Sequence, residues 1–224
     1  MAPSSPAPGR WRETLREHWE YGRWSASTRL LNWLPHYVYF LALPIWVGIE
    51  ASGSLKALLN LLNPLIHAYT AVTVLLMTAL VRLRGGPGFD RTLRWSTLGF
   101  AGTALAFWAV LGLFGDPLVR FLYGGKYVAE AGLLWILGGV PLVNGLAAVA
   151  AAALRALEAP DKVFYAYAGS AAVAVAIGLP LMSSLGLVGA AIGLLGSGVA
   201  AAAVAGLVLG RVRGTVWTLQ HETT

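Results

Sequence analysis

The sequence contains no cysteine. That excludes a disulfide framework, a thiol nucleophile and a cysteine-ligated zinc site. Charge is scarce as well. Asp, Glu, Lys and Arg make up 12% of the 224 residues, about half the fraction of an ordinary soluble domain. Motifs that carry known chemistry are missing. There is no GxxxxGK[ST] nucleotide loop, and "YGGKY" at 123–127 has neither its spacing nor its Ser/Thr. There is no HExxH, no GxSxG elbow and no paired Asp cluster to hold Mg2+. His18, His36, His67 and His221 show no i, i+4 pairing of the kind helical metal ligands use. No secretory signal peptide is visible, because the first apolar run begins near Leu30, after a polar segment with five arginines. These absences disfavour an enzyme and imply no cofactor and no metal.

What is present is apolar sequence: 57% of the residues are hydrophobic. A helix needs roughly 20 apolar residues to cross the hydrocarbon core of a bilayer. Runs without Asp, Glu, Lys or Arg meet that length at about 30–49, 57–81, 95–114 and 131–154. A further run, 163–210, is 48 residues long, and "PLMSSLG" at 180–186 supplies a turn near its middle. It divides into spans at about 163–182 and 187–210. The expectation is an all-α integral membrane protein with a six-transmembrane-helix bundle over 29–210. A disordered Pro/Ser/Ala-rich segment, 1–9, precedes the bundle, and a tail, 211–224, follows it.

The charge distribution supports this division. With the N-terminus inside, the inner segments hold 13 basic residues, and the outer ones hold 3, Lys56, Arg120 and Lys126. That asymmetry follows the positive-inside rule and predicts both termini in the cytoplasm, with the chain in the cytoplasmic (inner) membrane. The net charge of +6 is then a product of topology, and nucleic acid is not an expected partner. Trp33, Trp46, Trp95 and Trp135 fall in or near terminal turns of the spans, where aromatic belts form. Before the first span, 10–28 carries Trp11, Leu15, His18, Trp19 and Gly22 at helical spacing. This predicts either an amphipathic interfacial helix or a solvated helical extension of span one.

Helices in lipid associate by close backbone approach. The fourth span is nearly a ridge of alanine, and the sixth holds two GxxxG patterns, 189–193 and 206–210. Pro35, Pro44, Pro64, Pro141 and Pro180 lie in apolar runs, where each removes an amide donor and invites a kink.

Two polar stripes cross the first two spans. Arg29, Asn32, His36 and Tyr39 follow i, i+3, i+7, i+10, and Asn60, Asn63, His67 and Thr70 repeat that spacing. Each set shares one helical face. Such faces turn either toward a water-filled cavity, as a candidate substrate path, or toward other helices as hydrogen-bonding glue. No carboxylate lies within any span; Glu130 falls at the outer end of the fourth.

The stretch "FLYGGKYVAEAGLLWIL" at 121–137 separates the third and fourth spans. Leu122, Tyr123, Gly124, Tyr127, Ala131 and Ile136-Leu137 resemble a pattern of bacterial oligosaccharide-lipid flippases, with the alanine one place late. Those proteins belong to the multidrug/oligosaccharidyl-lipid/polysaccharide exporter superfamily. "AALRALEAPDKVFY" is similar to the family's cytoplasmic loop, "GLVGAAIG" to the start of its last helix, and "HWEYGRWSASTRLLNW" to the start of its second six-helix lobe.

The resemblance implies one lobe of a flippase-like transporter for surface polysaccharide synthesis. The implied substrate is a polyprenyl-diphosphate-linked oligosaccharide. Arg29 would meet phosphate at the cytoplasmic mouth, and the asparagines and Tyr39 would meet sugar hydroxyls. Family members usually have two lobes, and this chain has length for one. A separately encoded first lobe, or a second copy in a homodimer, is therefore an implied partner, alongside membrane lipid. Two other readings stay open: a non-transporting membrane subunit of a glycan-synthesis complex, and a drug/cation antiporter lobe. The absence of an intramembrane carboxylate argues against the antiporter.

Overall fold

The structure, a computed structural model, describes residues 19, 30, 31, 33–35 and 37–221, with side chains as far as 214. The expected disordered segment 1–9 and the interfacial helix 10–28 lie outside the described residues, apart from Trp19, which is helical and exposed. Every regular element among the described residues is helical. Helix α1 covers 37–46, continuing helical residues at 30, 31 and 33–35. Then come α2 (Ile49–Arg82), α3 (Gly88–Tyr123), a 3-10 helix (Val128–Leu133), α4 (Leu134–Leu137), α5 (Val140–Ala156), α6 (Pro160–Val173), a π-helical turn (Ala174–Gly178) and α7 (Leu179–His221).

The helices outrun the apolar runs that nucleate them. A span beginning near 57 is expected, yet α2 starts at Ile49. Gly48 (φ 118) forms a corner just two residues long after α1, so 49–56 never becomes a loop. Helix α3 likewise extends the expected 95–114 to 36 residues. Charged residues at headgroup depth keep their helical hydrogen bonds, since water and lipid headgroups solvate them. At the far end of α3 the chain turns through Gly124 (φ 61) and Gly125 (φ 90), with open space around both. The left-handed backbone, rather than crowding, calls for glycine there.

The sequence predicts six spans. Among the described residues, four helices are long and apolar enough to cross a membrane: Ile49–Arg82, Gly88–Tyr123, Val128–Ala156 and Pro160–Gly214. The first expected span lies partly outside the described residues. The fifth and sixth expected spans belong to a single helical stretch of 55 residues, interrupted by the backbone of Gly186 (φ 59, ψ −130). The interruption is sharp. A β-carbon on Gly189 would overlap the carbonyl of Leu181, and one on Gly193 would lie 2.8 Å from the Cα of Gly178. In an uninterrupted helix, residues 15 apart in sequence are about 22 Å apart. The stretch therefore folds back at Gly186 into an antiparallel hairpin, whose two arms touch through the first GxxxG pattern. Gly206 and Gly210 of the second pattern meet nothing within 4 Å.

Pro141 does not kink a helix as expected. It sits at the start of α5, where its missing amide leaves no bond unmade. Pro180 follows the π-helical turn, which opens the backbone where the ring would otherwise crowd the carbonyl of Ala176.

The alanine-rich α5 is the centre of the bundle, with 149–154 buried. Large apolar side chains elsewhere face outward, including Leu41, Ile45, Leu75, Leu113, Phe121 and Leu207. An exterior of this kind is unfavourable in water and matches a hydrocarbon surround. Polar side chains on long helices are satisfied locally, as when Thr73 donates to the Tyr69 carbonyl at 2.7 Å and Thr97 to that of Leu93 at 2.8 Å. The architecture is that of a multi-pass membrane protein.

Candidate functional site

The helices also sort the charges. Arg84 pairs with Glu158, and Arg213 with Asp90 at 2.6 Å, so the α2–α3 and α5–α6 connections and the end of α7 share one end of the bundle. That end carries eight basic residues between Arg82 and Arg213, against Asp90, Glu158 and Asp161. At the opposite end Glu50, Asp116 and Glu130 balance Lys56, Arg120 and Lys126. Tyr127 there approaches Gly53, Tyr123 donates to the Ala57 carbonyl at 2.9 Å, and Gly186 abuts Val47. The hydrogen bond from Arg84, reinforced by its charge, holds the Glu158 carboxyl below its ordinary range; the same bond raises Arg84. The oxygens Ser52 Oγ and Glu130 Oε2 are buried without a hydrogen-bond partner among the described residues.

The stripe on α2 is the most distinctive polar feature. Asn60, His67 and Thr70 are exposed and Asn63 is half-buried. Asn63 donates to Asn60 Oδ1 at 3.2 Å, and Thr70 donates to the Ile66 carbonyl at 2.9 Å. None of the four bonds another helix among the described residues. Hydrogen-bonding glue among the described residues therefore does not account for them. The stripe stays uncovered because α2 is the least enclosed long helix: 11% of its most apolar stretch is buried, against 61% for 128–156. Its buried residues, including Leu55, Leu58, Leu62 and Tyr69, occupy the opposite face.

The first stripe divides differently. Arg29, Asn32 and His36 lie outside the described residues. Tyr39 is fully buried, with its ring between Gly178 and Gly193; a β-carbon at either glycine would overlap its hydroxyl. That hydroxyl points at the Ala174 carbonyl, 3.5 Å away, inside the π-helical turn. Tyr39 thus seals the hairpin against α1 and is fully buried in this arrangement. Helical spacing assigns a residue to a face, but it does not say what the face meets.

Tyr69, outside the stripe pattern, does comparable work. Its hydroxyl donates to the Phe100 carbonyl at 2.5 Å and lies 2.7 Å from Thr103 Oγ1, and its ring stacks on Phe100. The opposing wall is Gly145, where a β-carbon would come within 2.8 Å of the ring. Tyr69 therefore joins α2, α3 and α5. Only a tyrosine facing a distant glycine signals this, and sequence spacing does not pair the two. No group of three or more His, Asp or Glu side chains gathers among the described residues.

No protein-family model matches the chain, and neither the curated proteins nor the solved structures offer a match.

Proposed function

We propose that this chain is a six-span lobe of a flippase-like transporter, with both termini cytoplasmic, that moves a polyprenyl-diphosphate-linked oligosaccharide between leaflets. The observation that carries the reading is the uncovered stripe of Asn60, Asn63, His67 and Thr70 on α2. Polar groups left facing hydrocarbon are costly, so such a face is expected to meet water or a second protein. A two-lobed transporter supplies both, as a cavity between lobes. The second lobe is a separately encoded chain or another copy. The order of motifs around 121–137 supports the choice of substrate by resemblance alone. The basic end of the bundle would face the cytoplasm, and the reversal at Gly186 would let the last helical stretch cross the membrane twice, as the fifth and sixth spans.

Cysteine accessibility in membranes tests this reading, and the chain has no native cysteine to interfere. Cysteine at Asn63 or His67 should react with a small polar thiol reagent. Cysteine at Leu75, which is also exposed in the bare chain yet apolar in its setting, should not. Equal protection at all three positions would end the cavity reading.

One observation favours a second reading. Tyr39 is packed shut between Gly178 and Gly193, as expected for a membrane subunit of a glycan-synthesis complex that transports nothing itself. In that case the α2 stripe is a permanent protein interface. It would stay unreactive in the assembled complex and become reactive when the partner is absent.

A further inference from the structure

At the basic end, α3, α5 and α7 do not close on one another. A slot of about 300 Å3 is lined by Leu93, Thr97, Leu146, Val149, Ala202 and Gly206, with Arg213 at its rim. It exists because Ala202 and Gly206 leave its α7 wall low; a β-carbon on Gly206 would meet nothing within 4 Å. Around the same helix, a second hollow of about 400 Å3 is bounded by Asp90, Arg91, Arg94, Trp95 and Leu98. The Asp90–Arg213 ion pair stands between the two. Asp90 is therefore neutralised by Arg213, while Arg91 and Arg94 are exposed and make no ion pair among the described residues.

We propose that this is a binding site for a resident anionic phospholipid. Its phosphate sits on Arg91 and Arg94, and one acyl chain lies in the slot over Gly206. The surroundings fit that occupant. Trp95 stands one residue from Arg94, at the level where indole rings prefer the headgroup boundary. The slot is apolar apart from Thr97, whose hydroxyl is already bonded to the Leu93 carbonyl, and Arg213, which is paired with Asp90, so nothing in it calls for a polar guest. An acyl chain gains little by leaving other lipid tails for a protein groove. Selectivity must therefore come from the two arginines, and the slot orders the tail. Each basic residue near the surface favours an anionic lipid enough that two give roughly a tenfold or larger preference over a zwitterionic one. The site is built from α3, α5 and α7, shares no residue with the α2 stripe, and does not depend on the transport reading.

Native mass spectrometry of the full chain in mild detergent tests it, with phosphatidylglycerol or phosphatidylcholine added separately. The wild type should retain phosphatidylglycerol at least tenfold better. Arg91→Gln with Arg94→Gln should abolish the preference, and Gly206→Leu should lower retention while leaving helicity and melting unchanged. Equal retention of the two lipids by the wild type overturns the proposal. If inorganic phosphate displaces phosphatidylglycerol at millimolar concentration, or if Gly206→Leu retains lipid as the wild type does, the slot has no part and the lipid assignment falls.

Discussion

The Tyr39 hydroxyl occupies the space where a β-carbon of Gly193 would lie. The contact locks α1 to both arms of the hairpin, because Gly178 on the other arm faces the same ring. We predict that Gly193→Ala and Gly178→Ala each destabilise the bundle by about 1–3 kcal/mol, the usual cost of overfilling a packed site. Gly210→Ala, in open space, should be neutral or slightly stabilising through helix propensity. Unfolding in mixed detergent, followed by circular dichroism, separates these cases. Tyr39→Phe should cost under about 1 kcal/mol, because a 3.5 Å contact to the Ala174 carbonyl is a weak hydrogen bond.

Two tryptophans make a reciprocal lock between α3 and the following segment. Trp108 lies against Gly138 and donates its Nε1 proton to the Trp135 carbonyl at 2.9 Å, while the Trp135 ring lies within 2.8–2.9 Å of a β-carbon on Gly112. Trp108→Ala should destabilise by about 1–3 kcal/mol, since the ring is half-buried. Trp108→Phe should recover part of that, since it restores ring volume but leaves out the donor. Urea or detergent titration of the three proteins gives the order. Equal stability of the Ala and Phe variants would mean the ring contributes nothing beyond its hydrogen bond.

Topology has a direct readout. Reporter fusions at Gly48, Gly88, Lys126, Asp161 and Ser184 should read outside, inside, outside, inside, outside. This follows if the basic end is cytoplasmic and the chain turns at Gly186. A cytoplasmic signal at Ser184 would mean that the hairpin does not cross the membrane twice.

The Arg84–Glu158 pair gives a pH dependence with a definite sign. The folded carboxyl lies below its ordinary value of 4.5 because Arg84 bonds it. A depressed carboxyl stabilises the fold fully above its unfolded value and loses that contribution as pH falls through the folded one. Melting temperatures of the wild type and Glu158→Gln should therefore differ, modestly for so exposed a pair, above about pH 4.5 and converge below it. Glu158 also has φ 59. Glu158→Gly should melt above Glu158→Ala, since glycine relieves the left-handed backbone.

Much of the fold is legible in the sequence, and for a simple reason: apolar runs of membrane length leave the backbone no alternative to helix. The reversal in 180–186 is legible too, through Pro180, Ser183-Ser184 and Gly186. Helix ends are not. Lys56, Asp90 and Arg120 mark where apolar sequence stops, but helix continues through them because charged side chains at the interface cost a helix nothing. The site is half legible. Spacing places Asn60, Asn63, His67 and Thr70 on one face, and that face is exposed. The same rule puts Tyr39 with Arg29, Asn32 and His36, whereas Tyr39 is sealed against two glycines more than a hundred residues away. A long-range fit of ring to glycine leaves no periodic trace.

The alanine face of α5 has a mechanical consequence. Between 149 and 153 the central helix presents one valine and four alanines, so its neighbours rest on something close to bare backbone. Alanine has no rotamers to freeze on folding and none to rearrange when a neighbour slides. The middle of the bundle therefore offers its neighbours a smooth bearing surface, and specific fit comes from the Tyr39 wedge between α1 and the hairpin, the Tyr69 and Trp108 wedges on α2 and α3, and the two ion pairs. A bulky side chain on that bearing, as in Ala152→Leu, would push the surrounding helices apart together, and the loosening should extend into helices that never touch residue 152.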